Sequence, residues 1–279
     1  MNYRYILKNL LTSPIILIKE ILVDLHKDYG KTIPYNNVWI CGLPKSGTTL
    51  IEKILDTLPY VSMDRSPLRY GINKNVIDSK NIENYIRLFP KNKNSYLKTH
   101  LEYNKKILEN LKNNNFKIII TFRNLKDVMI SRYYHILSDT KHRHHHLVKN
   151  CSFEEGFLNS ITATDNNLSA LKYYFLWVES WSKIKEEDNL LKINYEKYSE
   201  NPHEFIKKIL SFLEIKSFDE KIVEKKLERE RKIHKKFGLA KNLKSFNRNV
   251  STFRSGETNQ WKKLFNNKIE VEFNKVINE

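Results

Sequence analysis

Val38-Trp39-Ile40-Cys41-Gly42-Leu43-Pro44-Lys45-Ser46-Gly47-Thr48-Thr49-Leu50 reads as a strand, a tight turn and the start of a helix. Val38 to Cys41 form a short apolar run, and Leu50, Ile51, Ile54, Leu55 and Leu58 then recur at helical spacing. Strand, turn and helix in that order place backbone N–H groups at a helix N-terminus, where they can cradle an anion. Gly42, four residues and Gly47 reproduce the spacing of a phosphate-binding P-loop. In a nucleotide triphosphatase the next residue is the lysine that reaches the β- and γ-phosphates. Here that residue is Thr48, and the cation stands inside the loop as Lys45. The displacement points to an anion other than the magnesium-bound phosphates of ATP.

Three further strands are predicted, at 95–99, 116–122 and 190–194, in addition to 37–41. Helical patterns lie at 48–58, 103–113, 124–137, 168–184 and 203–213. Strands alternating with helices imply an α/β domain with a central, mainly parallel sheet flanked by helices. In such a sheet ligands sit beyond the carboxyl ends of the strands. All four predicted strand ends carry polar groups: the loop 44–49, His100, Arg123 and Tyr195. One active site would gather them. Tyr174, Trp177 and Trp181 read as a core stripe, and residues 214–253 as short helices plus a mobile loop.

The chain has 279 residues, of which 40% are hydrophobic, enough for a packed core. Its two cysteines, Cys41 and Cys151, are far apart and read as thiols of a reducing, cytoplasmic compartment. The net charge of +17 fits either a nucleic-acid or anionic surface, or a basic protein with a multiply anionic ligand. Glu224 borders the densest basic block, 225–244, and Glu228 and Glu230 interrupt it, which argues against a nucleic-acid site. The apolar stretch 10–23 is too short to span a membrane and is broken by Lys19-Glu20. With Ser13 as N-cap and Pro14 at the first helical position it predicts an amphipathic helix, packed on the body or loosely membrane-associated. Residues 1–35 are thus an N-terminal helical extension, and 36–279 the main domain.

Four elements carry candidate chemistry. Arg123, at a strand end, offers a planar fork suited to phosphate, with Ser131 two helical turns on; a helix-capping ion pair with Asp127 is the structural alternative. His100, in Lys98-Thr99-His100-Leu101, is placed to act as a general base. Phe253-Arg254-Ser255-Gly256 precedes Trp261-Lys262 and suits a second phosphate. His142, His144, His145 and His146 lack a carboxylate or cysteine partner at ligand spacing, so they predict an exposed loop and no metal.

Taken together these segments resemble the sulfotransferases that use 3′-phosphoadenosine 5′-phosphosulfate (PAPS), particularly the soluble, cytosolic type. Pro44-Lys45-Ser46-Gly47-Thr48-Thr49 is similar to the family's 5′-phosphosulfate loop, Arg123 to Val128 with Ser131 to its 3′-phosphate segment, and Lys98 to Leu101 to its catalytic-histidine segment. Residues 253–262, and Tyr195-Glu196 followed by Asn201-Pro202, also fit its pattern. The resemblance covers roughly 36–265 and implies roles. The loop and the hydroxyls of Ser46, Thr48 and Thr49 would hold the 5′ end, and Lys45 would meet the bridging oxygen. Arg123, Ser131, Arg254 and the Gly256 backbone would hold the 3′-phosphate, with Ser255 and Tyr195 among the cofactor-binding residues. His100 would take the proton of an acceptor hydroxyl or amine, with Lys98 as an electrostatic helper. A sulfonyl group carries less charge than a terminal phosphoryl group, so a side-chain cation can stand where kinases need Mg²⁺.

The chain departs from the family at Leu50 (often Trp), Ser255 (commonly Lys) and Glu102 (Pro), and it lacks the usual adenosine contact in 214–235 and the dimerisation motif near 240–257. The rival readings are a P-loop nucleotide kinase, which would want Gly-Lys-Thr, and a basic nucleic-acid binder on a degenerate nucleotide fold. A small-molecule acceptor would be lined by 60–95, 135–155 and 232–253, with Tyr60, Tyr70, Tyr133, Tyr134 and Phe237 as candidate apolar residues.

Overall fold

The computed structural model describes residues 37–57, 61–63, 82–89, 94–165, 167–215, 223–225, 227–228 and 257–278. The N-terminal extension, Tyr60, Tyr70, Phe237, Arg254, Ser255 and Gly256 lie outside the described residues. The strands are β1 (Asn37–Gly42), β2 (Val61–Met63), β3 (Asn94–Thr99), β4 (Phe116–Phe122), β5 (Thr164–Asp165), β6 (Leu168–Ser169) and β7 (Leu190–Asn194). Five of them form one sheet in the order β2-β3-β1-β4-β7, with every pairing parallel. β1 is central, with β3 and β4 on either side, so the crossovers diverge at its carboxyl end and open a crevice there.

The helices are α1 (Thr48–Thr57), α2 (Ile82–Leu88), α3 (Lys105–Asn113), α4 (Leu125–Ser138), α5 (His145–Val148), α6 (Phe153–Thr162), α7 (Ala170–Ser182), α8 (Tyr195–Glu200), α9 (Pro202–Phe212), α10 (Trp261–Leu264) and α11 (Asn267–Asn278). Alternation along the buried strands builds a core on each face of the sheet. Trp39, Cys41, Ile118 and Ile120 face one way, onto α3, α4, α6, α7 and α11. Val38, Ile40, Ile119 and Ile193 face the other, onto α1 and α9.

Side-chain caps set the helix starts. Asn124 accepts the N–H groups of Lys126 and Asp127 at α4, and Asn201 accepts that of Glu204 at α9, where Pro202 sits at the first turn. Asn104 caps α3, so that helix begins at 105 rather than 103. The predicted helix 168–184 begins at Ala170 because Leu168–Ser169 pairs antiparallel with Thr164–Asp165 and Ser169 then serves as cap. The edge strand β2 was not foreseen: three residues carry no readable period, and they fall in a stretch expected to be loop.

Candidate active site

The loop after β1 is held in an uncommon backbone shape. Lys45 has φ 76° and Gly47 φ 101°, on either side of Ser46. Alternating signs of φ turn successive N–H groups toward one concave side, an anion-binding nest. A β-carbon on Gly47 would lie 2.5 Å from Cδ2 of Tyr195, and one on Gly42 would lie 2.0 Å from the Thr121 hydroxyl oxygen. Close approach therefore requires glycine at both positions, and at Gly47 the positive φ requires it as well. Ser46 is buried; its hydroxyl donates to the Leu43 carbonyl at 2.8 Å, and its oxygen is 2.8 Å from that of Thr121. The Gly47 carbonyl accepts from Leu50 and Ile51, so the first N–H groups of α1, including those of Thr48 and Thr49, have no partner within the helix. The loop is shaped from within by Ser46 and from beneath by Tyr195.

Three cations converge on it. The Arg123 guanidinium donates to the Lys45 carbonyl at 3.2 Å and to the Glu257 carbonyl at 2.8 Å, and it lies 4.8 Å above the Tyr195 ring. Its Nε–H is buried without a hydrogen-bond partner. Lys98 alternates out to the α1 side of β3, where its ammonium donates to Thr49 at 3.4 Å and pairs with the Glu52 carboxylate. Burial, then the charges of Arg123 and Lys98, pull the Lys45 ammonium down to about 8. Cations gathered around an N–H nest, close enough to lower the Lys45 ammonium, suit an anion.

His100 joins the same loop from β3. The Gly42 carbonyl accepts its Nδ1–H at 2.6 Å, which leaves Nε2 as the unprotonated nitrogen of the neutral ring. Burial lowers its pKa, the Gly42 bond opposes this, and Lys98 adds to the lowering, so the ring is uncharged near neutral pH. The next peptide is clamped: the Leu101 carbonyl accepts from the indoles of Trp177 at 2.8 Å and Trp181 at 3.0 Å, and from the Cys41 thiol at 3.3 Å. The two tryptophans belong to the core stripe, as their spacing implied, but their N–H groups also fix the residue beside His100. Only two apolar-looking indoles were visible in the sequence; their common target was not.

Arg123 and Asp127 do not pair. Asp127 is buried and takes the backbone N–H groups of Asn259 at 2.6 Å and Trp261 at 3.3 Å. Lys126 pairs with Glu270 and sits 4.3 Å over the Trp261 ring. Arg123, Lys126 and Asp127 thus dock the carboxy-terminal segment that follows Gly256, a link the linear pattern left hidden. Ser131 is half-buried on α4, one turn before His135. Tyr133 and Tyr134 join Phe153 and Phe157 in an aromatic cluster, with Tyr133 buried in the core.

The histidine-rich stretch differs from the exposed loop expected. His144 is buried, its Nδ1 accepting from Arg132 at 3.1 Å, and His145 opens the short helix α5. The reason is Arg132, itself buried on α4, which needs acceptors and finds them in His144 and the Ser160 carbonyl at 2.6 Å. Among the described residues no three histidine, cysteine or acidic side chains are grouped to hold a metal ion.

The sequence pattern of the sulfotransferase domain family matches residues 35–279. The chain belongs to that family. This sulfotransferase is 30% identical to mouse sulfotransferase 1 family member D1 over 246 residues, covering 82% of this chain and 78% of that protein. It is 25% identical to human sulfotransferase 1C2 over 257 residues, covering 82% and 78%. Among solved structures, mouse sulfotransferase SULT7A1 complexed with PAP superimposes with a TM-score of 0.57 at 21% identity, covering 91% of this chain and 89% of that one. A retinol dehydratase in complex with retinol and PAP gives 0.53 at 18% identity, covering 92% and 84%. The nucleotide-kinase and nucleic-acid readings give way to sulfonyl transfer. Among the described residues no helix is long and apolar enough to cross a membrane.

Proposed function

We infer that this sulfotransferase takes its sulfonyl group from PAPS and passes it to a hydroxyl or amine of a small molecule, with His100 as general base. One observation carries the reading: the anion nest and the candidate base share Gly42, whose carbonyl holds His100 at 2.6 Å. The acceptor oxygen or nitrogen attacks sulfur, and the S–O bond to the 5′-phosphate breaks. The bonding pair leaves on the phosphate oxygen, and the acceptor proton passes to Nε2 of His100. Lys45 meets the charge that grows on the leaving oxygen, a position where a fixed cation lowers the barrier most. The donor's negative charge also favours the protonated form of Lys45, so binding itself prepares the cation. Thr48 and Thr49 supply N–H groups and hydroxyls at the start of α1, and Lys98, balanced by Glu52, adds field without a full net charge.

Arg123, with its buried and unpartnered Nε–H, fits the 3′-phosphate. Ser131 stands two turns along the helix that Arg123 precedes, and Arg254, Ser255 and Gly256 complete the set in this reading. Tyr195 acts by supporting Gly47 and stacking on Arg123. Burial pushes the Cys41 thiol up to about 12, and both cysteines are thiols, which suits a cytoplasmic enzyme.

Calorimetric titration with 3′-phosphoadenosine 5′-phosphate (PAP) tests the donor. Micromolar binding without Mg²⁺ is expected, and no binding would refute it. The base is tested by His100→Ala, which should lower kcat by about 10²–10⁴-fold while PAP affinity stays near that of the parent. A variant with unchanged kcat would remove His100 from the role.

A further inference from the structure

Ser131 and His135 are four residues apart and so share the face of α4 that runs on from Arg123. His135 is half-buried there and is absorbed by none of the roles above. Its Nδ1 is buried and meets no hydrogen-bond partner, so the nitrogen presented outward is Nε2. The Lys45 ammonium acts on this ring: after burial, it is the largest cause lowering the pKa of His135, with Arg132 adding and Asp139 opposing. The helix face shared with Ser131 and this charge interaction together put His135 on the side of α4 that is within electrostatic reach of Lys45.

The ring has a neighbour of the same kind. His142 lies 5.9 Å from His135, centroid to centroid, and His144 lies 5.5 Å beyond. The His144 backbone N–H donates to Nδ1 of His142 at 3.1 Å, so neutral His142 carries its proton on Nε2. Burial and the cation Arg132 push His142 down to about 4, which keeps it neutral. The same tautomer is favoured at His135. A proton on the buried Nδ1 would be a buried donor without an acceptor. The loop that carries His142 is fixed by His144 on Arg132 and by His145, whose Nδ1–H donates to the Ile136 carbonyl at 3.0 Å. Two rings on a pinned loop and a helix turn both present an N–H outward.

We propose that His135 and His142 form a pair of imidazole N–H donors that binds an oxygen of the acceptor, so that the preferred acceptor carries a carbonyl or carboxylate oxygen besides its nucleophilic group. This rests on the donor and base assignments above, because it needs the acceptor to lie between His100 and α4. A plain alkylphenol would leave both donors dry and unpaired. Leaving one buried polar group unsatisfied costs about 1–3 kcal/mol, or roughly 5- to 150-fold.

The test uses the full chain and a matched pair of phenols, 4-hydroxyphenylacetone and 4-propylphenol, which share length and ring but differ by one carbonyl. The ketone is expected to show the higher kcat/KM by at least about fivefold. His135→Phe should abolish the preference, and His135→Gln, which keeps an N–H donor, should restore part of it, with PAP affinity unchanged in both. Nitrogen-15 spectra of the imidazoles at pH 7 give a second readout that needs no turnover. Protonated Nε2 and bare Nδ1 in both rings support the pair; the opposite tautomer or a charged His135 overturns it. Equal kcat/KM for the two phenols, unaltered by His135→Phe, overturns it as well. Failure of PAP to bind would instead strike the donor assignment.

Discussion

The three donors on the Leu101 carbonyl make a sharp prediction, because a carbonyl oxygen has only two lone pairs. Trp177, Trp181 and Cys41 compete for it at 2.8, 3.0 and 3.3 Å. Replacing either tryptophan by phenylalanine removes one N–H but leaves the oxygen served by the other indole and the thiol. The hydrogen-bond part of each single loss should therefore fall at the low end, about 0.5 kcal/mol. In the double variant only the weak thiol donor remains, and an under-satisfied buried carbonyl costs about 1–3 kcal/mol. The pair should then lose about 1 kcal/mol more than the sum of the singles. Packing predicts the opposite sign: the rings touch at a centroid distance of 6.1 Å, each single variant already weakens that contact, and the double would lose less than the sum. Urea unfolding of the four proteins in a double-mutant cycle measures the difference. The kcat of the double variant should also fall, since the residue after His100 is no longer held, while PAP affinity stays the same. Additivity within about 0.3–0.5 kcal/mol, or a loss below the sum, would show that the indoles only pack.

Three further outcomes follow from the site. Lys45, held near 8 without ligand, should be returned to its charged form by the nucleotide's anions, so PAP binding at pH 9 takes up close to one proton, while His100, His135 and His142, all lowered, stay neutral. Calorimetry in buffers of different ionisation enthalpy reads this uptake; it should vanish in Lys45→Met, and buffer-independent heats in the parent would refute it. By the same linkage, the unfolded chain binds more protons than the native one between about 8 and the ordinary lysine value, so Lys45 adds stability to the ligand-free enzyme as pH rises through that window. Asp127→Ala removes a buried carboxylate acceptor from two backbone N–H groups of the carboxy-terminal segment. Hydrogen bonds to a charged group are worth about 1.5–3 kcal/mol, so PAP affinity should drop by about tenfold or more and proteolysis near 257–261 should quicken; unchanged affinity and cleavage would dismiss the docking role.

The sheet was legible because its strands are short apolar runs that end in distinctive polar residues. Leu190–Asn194 and Phe116–Phe122 have the boundaries expected, and β1 and β3 each gain one residue. β2 and the hairpin 164–169 were not legible, since two or three residues carry no period. At the site, Lys45, His100 and Arg123 were singled out as residue types at strand ends. Their partners were not, because Gly42 and Glu257 are joined to His100 and Arg123, and Trp177 and Trp181 to Leu101 beside His100, by hydrogen bonds over long sequence separations.

Local chemistry alone therefore marked where an anion would sit: a glycine turn between strand and helix, with its cation moved to Lys45. That is a property of consecutive residues and needs no knowledge of the rest of the chain. The tertiary fold decided what surrounds that anion. It brought Lys98 and Arg123 close enough to lower Lys45, set His100 on the Gly42 carbonyl, and carried His135 within electrostatic reach of Lys45. Charge coupling and hydrogen bonding act through space over a few ångströms, and only parallel pairing of β3, β1 and β4 brings residues that are tens of positions apart within that range.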